Sequence, residues 1–114
     1  MPDWDTVREL AAGFPEAVED TSRSQPVFRV RKKLFVWMSP HEKGALCVRV
    51  DPDEKDFLIA SNPDAYFTTP HYEGYPAVLI RLDRIRHKEL AERIEDAWLL
   101  RAPKRLVDEF VSRS

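Results

Sequence analysis

The chain has 114 residues, of which 43% are hydrophobic, 11% aromatic and 33% charged, and its formal net charge is −2. This length predicts a single domain over residues 1–114, and the composition is typical of a globular chain. The near-neutral charge argues against a general polyanion binder, and the single cysteine, Cys47, excludes an internal disulfide and a cysteine-based zinc site. Because we find no signal-peptide pattern and no apolar run of membrane-spanning length, we expect a cytoplasmic protein.

The N-terminal half predicts a helix followed by antiparallel strands. Apolar residues at helical spacing predict a first helix that ends near Gly13: Trp4, Val7, Leu10, Ala11 and Phe14. Residues 18–22 predict a short strand, and residues 27–30 and 33–38 predict a hairpin joined by Arg31 and Lys32. Because neither residue adopts positive φ easily, we expect a longer turn or a strained one.

Alternating apolar residues over 45–50 predict a half-buried strand. Asp51 and Pro52 then predict the start of a short helix that ends before Asn62, with a further turn through Tyr66. Residues 87–100 predict an amphipathic helix, and a last helix is expected from Pro103 through Val111.

A stiff loop of prolines and rings precedes the most apolar strand. Residues 70–76, PHYEGYP, contain two prolines, one glycine and three ring-bearing side chains, and we call them the aromatic loop. Residues 77–80 are apolar on both faces, which predicts a central, buried strand. The order of elements predicts an α+β domain with an antiparallel sheet covered by helices on one face.

These segments together resemble the MmcQ/YjbR family of small bacterial proteins, over nearly the whole sequence. The resemblance is carried by these runs: PVFRV from residue 26, KLF from 33, VDP from 50, TPHYEGYP from 69 leading into VLIRL from 78, AW from 97 and APKR from 102. It implies a frataxin/CyaY-like two-layer sandwich with N-terminal and C-terminal helices on the sheet. It also implies DNA binding through wing-like hairpins. Arg31 and Lys32 stand where a glycine-containing turn is usual in the family, and they make this tip more basic.

The first candidate surface is a basic segment that could neutralise phosphates. Residues 21–50 carry seven basic residues and one acidic residue, whereas residues 1–20 carry one basic and six acidic residues. The predicted DNA-binding residues are Arg23, Arg29, Arg31, Lys32, Lys33 and Arg49. The alternative is that these side chains only solvate a sheet edge. Any DNA affinity should be weak and salt-sensitive.

The second candidate surface is the aromatic loop. Its predicted ligand-binding residues are His71, Tyr72, Tyr75 and Arg81, because rings stack on flat ligands and arginine pairs with phosphate. A protein-interaction or small-ligand module without nucleic acid is therefore the alternative function. The rings could equally be buried for stability.

Metal binding and catalysis have little support in the sequence. A frataxin-like fold would place an acidic ridge near the N-terminus, but these carboxylates also suit a solvated face: Asp3, Asp5, Glu9, Glu16, Glu19 and Asp20. The three histidines, at 41, 71 and 87, show no metal-binding spacing. Cys47 has the pattern of a packing cysteine. We therefore expect a non-enzymatic protein without a metal or cofactor.

Overall fold

The computed structural model describes residues 2–113, which form an α+β architecture of one six-stranded sheet and four helices. In chain order the elements are α1 (Trp4–Ala12), β1 (Ala17–Ser22), β2 (Gln25–Val30), β3 (Lys33–Met38), β4 (Ala45–Arg49), α2 (Pro52–Ser61), β5 (Tyr66–Phe67), β6 (Ala77–Arg81), α3 (His87–Arg101) and α4 (Lys104–Arg113). The strands lie in the order β1-β2-β3-β4-β6-β5, and every neighbouring pair is antiparallel. The predicted α+β class with an antiparallel sheet is confirmed. In the described part of the chain, no helix is both long and apolar enough to cross a membrane.

The helices bury one face of the sheet. Val7 and Ala11 of α1 and four residues of α3 join the inward residues of the strands in the main core. Trp98 is fully buried there, and its indole N–H donates to the Pro15 carbonyl at 3.1 Å. Phe110 of α4 packs against Trp98, with ring centroids 5.0 Å apart. The first and last helices are thus held on the same side of the sheet.

The opposite face of the sheet carries a second, smaller apolar cluster. Its members come from four strands and the aromatic loop: Val27, Trp37, Ala45, Cys47, Tyr72, Ala77 and Leu79. The prediction of a half-buried strand at 45–50 is therefore wrong, because Cys47 is fully buried beneath the loop. The prediction of a buried strand at 77–80 is confirmed by β6.

A bulge in β3 adjusts which side chains face the helices. Phe28 pairs with Val36 and Arg29 pairs with Leu34, so Phe35 has no partner residue on β2. Phe35 and Val36 consequently both enter the main core, whereas Leu34 packs with the second cluster. The bulge keeps Leu34 and Trp37 on the face that the aromatic loop covers.

Both N-terminal hairpins turn through residues with positive φ. Arg23 and Ser24 join β1 to β2 with φ of 51° and 65°, and Arg31 and Lys32 join β2 to β3 with φ of 49° and 72°. Two-residue hairpins need this left-handed backbone, which glycine adopts most easily. The tip at Arg31 and Lys32 is thus a strained two-residue turn, and not the longer turn that was the alternative.

Candidate functional site

The second face of the sheet contains a groove that the helices leave open. The groove has a volume of about 440 Å³. Val27, Leu34 and Trp37 line it from the sheet, and His71, Tyr72 and Tyr75 line it from the aromatic loop. The remaining lining residues come from the β1–β2 hairpin, from the end of β3 and from the segment after β3: Ser22, Arg23, Arg29, Met38, Pro40 and His41. Its volume lies in the range of small-molecule sites.

A buried lysine ties the aromatic loop to α2. Lys55 is 7% exposed, and its Nζ donates to the Tyr72 carbonyl at 2.6 Å and to the Tyr75 carbonyl at 2.9 Å. Burial lowers the pKa of Lys55, while nearby Asp56 and Glu73 oppose that shift. The ammonium group therefore holds the backbone that carries both tyrosines.

Tyr72 anchors the loop from the other side. Ser39 Oγ accepts from the backbone N–H groups of His41 and Glu42 at 3.1 and 2.9 Å. Because both hydroxyl lone pairs are used, Ser39 donates its own proton to the Tyr72 hydroxyl, 2.7 Å away. Burial raises the pKa of Tyr72 to about 12 and that of the neighbouring Cys47 thiol to about 11. Both groups are therefore uncharged at neutral pH.

Tyr75 forms a half-exposed wall of the groove. Arg49 Nη1 donates to the Tyr75 hydroxyl at 3.3 Å, and the same guanidinium lies 5.3 Å from the centre of the tyrosine ring. The ring meets Trp37 edge to face, with centroids 6.4 Å apart. Arg49 thus positions an aromatic side chain and is not a free cation.

Two histidines and an arginine meet at one end of the groove. The rings of His41 and His71 have centroids 3.7 Å apart. Arg23 Nη1 lies 3.4 Å from His41 Nε2. A guanidinium can only donate, so neutral His41 accepts at Nε2 and carries its proton on Nδ1. Burial, then His71 and Arg23, lower the pKa of His41.

The fold pairs two of the seven basic residues of segment 21–50 with acids from the N-terminal segment. Arg31 forms an ion pair with Glu16, and Arg29 lies 3.4 Å from Asp20. Lys32 and Lys33 are exposed, and no ion pair among residues 2–113 includes either of them. Of the six predicted DNA-binding residues, the groove contains Arg23 and Arg29, while the hairpin tip carries Arg31, Lys32 and Lys33.

Arg81 does not join the aromatic loop, and its placement in that site is wrong. It pairs with Ala45 at one end of β4, whereas Arg49 at the other end pairs with Ala77. Its guanidinium lies 4.0 Å from the centre of the Phe67 ring and donates to the carbonyls of Pro63 and Asp64 at 3.2 Å. Four residues along β6 separate the two ends by about 13 Å. Arg81 therefore fastens β5 and stays outside the groove.

Five of the six N-terminal carboxylates make hydrogen bonds or ion pairs within the fold, and one of them, Asp5, accepts from Arg8 at 2.8 Å. Asp3 caps α1 by accepting from the Thr6 N–H at 3.0 Å, and its pKa is lowered mainly by that bond. Glu19 accepts from Arg8 at 2.7 Å and from the Trp4 indole at 3.1 Å. Glu16 and Asp20 form the ion pairs with Arg31 and Arg29. Between residues 2 and 113, no group of three or more metal-ligating side chains could hold an ion.

Sequence reasoning missed three side chains of the site, namely Trp37, His41 and Lys55. Trp37 has the pattern of a core residue, and His41 lies thirty positions from the ring that it contacts. Lys55 could have been recognised from the sequence, because it is the single lysine or arginine between residues 51 and 73. An isolated lysine among acids in a helix that borders a rigid loop is a candidate for a buried hydrogen-bond donor.

Comparisons with known proteins identify a family for this chain, relatives and a shared fold. The YjbR family profile matches residues 12–100. Uncharacterized protein Rv2570 of Mycobacterium tuberculosis and Uncharacterized protein Mb2600 of Mycobacterium bovis are each 38% identical over 131 aligned positions, covering 100% of this chain and 99% of the relative. The crystal structure of Deinococcus radiodurans protein DR2400, a DUF419 domain, has the same fold with a TM-score of 0.77 and 20% identity. That alignment covers 97% of this chain and 89% of the other. The chain therefore belongs to the YjbR family, which confirms the resemblance to MmcQ/YjbR proteins.

Proposed function

We propose that the protein is a non-enzymatic binding module in the cytoplasm, and that the groove beneath the aromatic loop receives a small ligand. The observation that supports this most strongly is the double anchoring of the loop. Lys55 holds its backbone, and Ser39 holds the Tyr72 ring. A loop held at two points presents Tyr75 and His71 in fixed positions beside Trp37, which limits the entropy lost on binding. The groove is also lined by both apolar and hydrogen-bonding side chains, as ligand sites are.

Nuclear magnetic resonance of the labelled protein tests the groove with four small ring compounds. The probes are phenyl phosphate, benzoate, benzyl alcohol and benzylamine, which differ in charge. At least one probe should shift the Trp37 indole signal and the amides of the aromatic loop saturably, with a Kd of about 1 mM or tighter. Absence of saturable shifts for all four probes, or shifts confined to other surfaces, would contradict the proposal.

A matched pair of variants separates the groove from general hydrophobic binding. Tyr75→Ala removes a 41% exposed ring from the groove wall, and Phe57→Ala removes a 71% exposed ring from α2 outside it. Loss of one aromatic contact should lower the affinity of Tyr75→Ala for the tightest-binding probe by about tenfold. The affinity of Phe57→Ala for that probe should equal that of the unchanged protein. Equal weakening in both variants would show that the probes bind elsewhere.

DNA binding is the second candidate function, and the exposed hairpin tip favours it. Lys32 lies in the two-residue turn and Lys33 begins β3 beside it, and both are exposed without an acidic partner among the described residues, so they are free to contact phosphates. Arg31 beside them is already paired with Glu16. The available positive charge is therefore smaller than the sequence indicates, and we expect weak binding.

Fluorescence anisotropy with a labelled DNA duplex tests this second candidate. Two lysine contacts predict that log K falls against log salt with a slope of about −2. The double change Lys32→Glu and Lys33→Glu should abolish binding at low salt while the fold survives, because both side chains are exposed. The control changes Lys88 to Glu on α3. A flat titration at low salt, or equal loss in the control, would rule out binding through this hairpin.

A further inference from the structure

One end of the groove collects three side chains that can each carry positive charge. Arg23 comes from the β1–β2 turn, His41 from the segment after β3 and His71 from the aromatic loop. Separate segments therefore converge here, with the histidine rings 3.7 Å apart and the arginine 3.4 Å from His41. Arg23 also holds a φ of 51°, which is costly for a residue with a side chain. An anion at this end would meet the Arg23 guanidinium and the N–H donors of the two imidazoles, and it would offset the repulsion that protonating His41 beside Arg23 creates.

The other charged groups around this end leave the positive character in place. Arg29 lines the same groove and lies 3.4 Å from Asp20. Tyr72 is uncharged because burial raises its pKa to about 12. Glu42 and Lys43 line a different hollow, together with Phe67 and Arg81, and Glu73 lines a third one beside Lys55.

The opposite part of the groove suits a flat ring. The Trp37 and Tyr75 rings stand edge to face, at an interplanar angle of 83°. Tyr72 meets Tyr75 at 62°, with centroids 6.4 Å apart. Val27 and Leu34 complete the apolar lining. Angled rings over aliphatic side chains form the kind of slot that accepts an aromatic group through edge and face contacts.

We infer that the groove binds a phosphate monoester attached to a flat ring, with the phosphate among Arg23, His41 and His71 and the ring beside Trp37 and Tyr75. The inference rests on the proposed function of the groove and names its ligand class. A phosphate monoester matches this end better than a carboxylate because it offers three acceptor oxygens and a charge near −2 at neutral pH. Three donors from three segments can then each meet one oxygen.

The pH dependence of binding follows from the imidazole donors, because the Arg23 guanidinium keeps its charge throughout this pH range. Phosphate bound beside His41 favours the protonated imidazole, so binding takes up a proton and should strengthen as the pH falls toward 6. The second ionisation of the ligand, with a pKa of about 6, acts in the opposite direction, because the dianion is more abundant at higher pH. Weaker binding at about pH 8 than at about pH 6 would therefore report the histidines and not the ligand.

The test compares phenyl phosphate with a ring compound that has no phosphate and with inorganic phosphate, by the same nuclear magnetic resonance titration. Phenyl phosphate should bind at least about tenfold more tightly than either benzyl alcohol or inorganic phosphate, because only it uses both ends of the groove. Its affinity should fall by about fivefold or more between about pH 6 and about pH 8. The double change His41→Gln and His71→Gln should weaken phenyl phosphate binding by about tenfold and remove its pH dependence. The control His87→Gln should change neither the affinity nor its pH dependence.

The outcomes separate this inference from the proposed function. If benzyl alcohol or benzylamine binds in the groove with the same affinity as phenyl phosphate, the groove is a ligand site, but the inference that its ligand is a phosphate monoester is wrong. The phosphate class is equally wrong if the double histidine change leaves phenyl phosphate binding intact. If none of the probes binds in the groove, the inference and the proposed function both fail.

Discussion

Replacing Tyr72 with alanine should lower the free energy of unfolding by about 3–5 kcal/mol, the cost typical of deleting a buried aromatic side chain. Tyr72 is 5% exposed and fills the centre of the second apolar cluster over Cys47. Its loss would leave a cavity beneath the aromatic loop and an unpaired Ser39 hydroxyl. The variant should also lose ligand binding, because the groove loses its inner wall. Urea unfolding followed by circular dichroism measures the first effect.

Two further substitutions check the cause of that loss. Tyr72→Phe keeps the ring and removes the acceptor for the Ser39 hydroxyl, so it should cost about 1–2 kcal/mol. Tyr75→Ala removes a ring that is 41% exposed, and we expect a cost of about 1 kcal/mol. If Tyr72→Ala cost less than about 1 kcal/mol, the loop would not be packed on the sheet as described.

Lys55→Met should destabilise the protein by about 2–3 kcal/mol, although methionine keeps most of the aliphatic stem. The change removes a charged donor that bonds two carbonyl groups of the aromatic loop, at Tyr72 and Tyr75. These carbonyls would have to find water or remain unpaired. Hydrogen exchange should become faster in residues 72–75, where backbone N–H groups bond within the loop.

The control for this prediction is Lys88→Met, which removes an exposed lysine from α3. It should change the free energy of unfolding by no more than about 0.5 kcal/mol and leave exchange in the aromatic loop unaltered. Equal stability of the two variants would show that the Lys55 ammonium does not hold the loop.

The strands could be predicted where the local pattern of hydrophobic residues matches their burial in the folded protein. Residues 77–80 are apolar on both faces, and β6 is buried on both. Residues 45–50 alternate between apolar and other side chains, so the sequence indicated one buried face for β4. Its second face is covered by a loop that follows about twenty-five residues later, and no local pattern reports that contact. The bulge at Phe35 could not be predicted from the local sequence either, because a bulge is defined by pairing with another strand.

The charge pattern shows why the candidate DNA surface was harder to judge. The sequence separates an acidic segment, 1–20, from a basic segment, 21–50. Antiparallel pairing of β1 with β2 then places these two segments side by side, so that Asp20 meets Arg29 and Glu16 meets Arg31. Two of the seven basic side chains of the segment are therefore paired within the fold. The net charge of a segment describes a surface only after its neighbours are known.

The aromatic loop was recognisable as a candidate site from its own residues, but its partners were not. Prolines and rings indicated a stiff, ring-presenting segment, and His71, Tyr72 and Tyr75 do line the groove. Trp37, His41 and Arg23 reach it from other segments of the chain, and the tertiary fold decides which of them meet. Arg81 was expected there because an arginine beside the rings could pair with phosphate, yet strand direction carries it to the far end of β6.

Intermolecular nuclear Overhauser effects test the central claim most directly, because they locate a bound probe on the surface. With phenyl phosphate or another binding probe, the ring protons should show contacts to the Trp37 indole and the Val27 methyl groups. Contacts to these two side chains would place the ligand in the groove beneath the aromatic loop. Contacts confined to another surface, such as the hollow along α4, or no contacts from any of the four probes, would contradict the account.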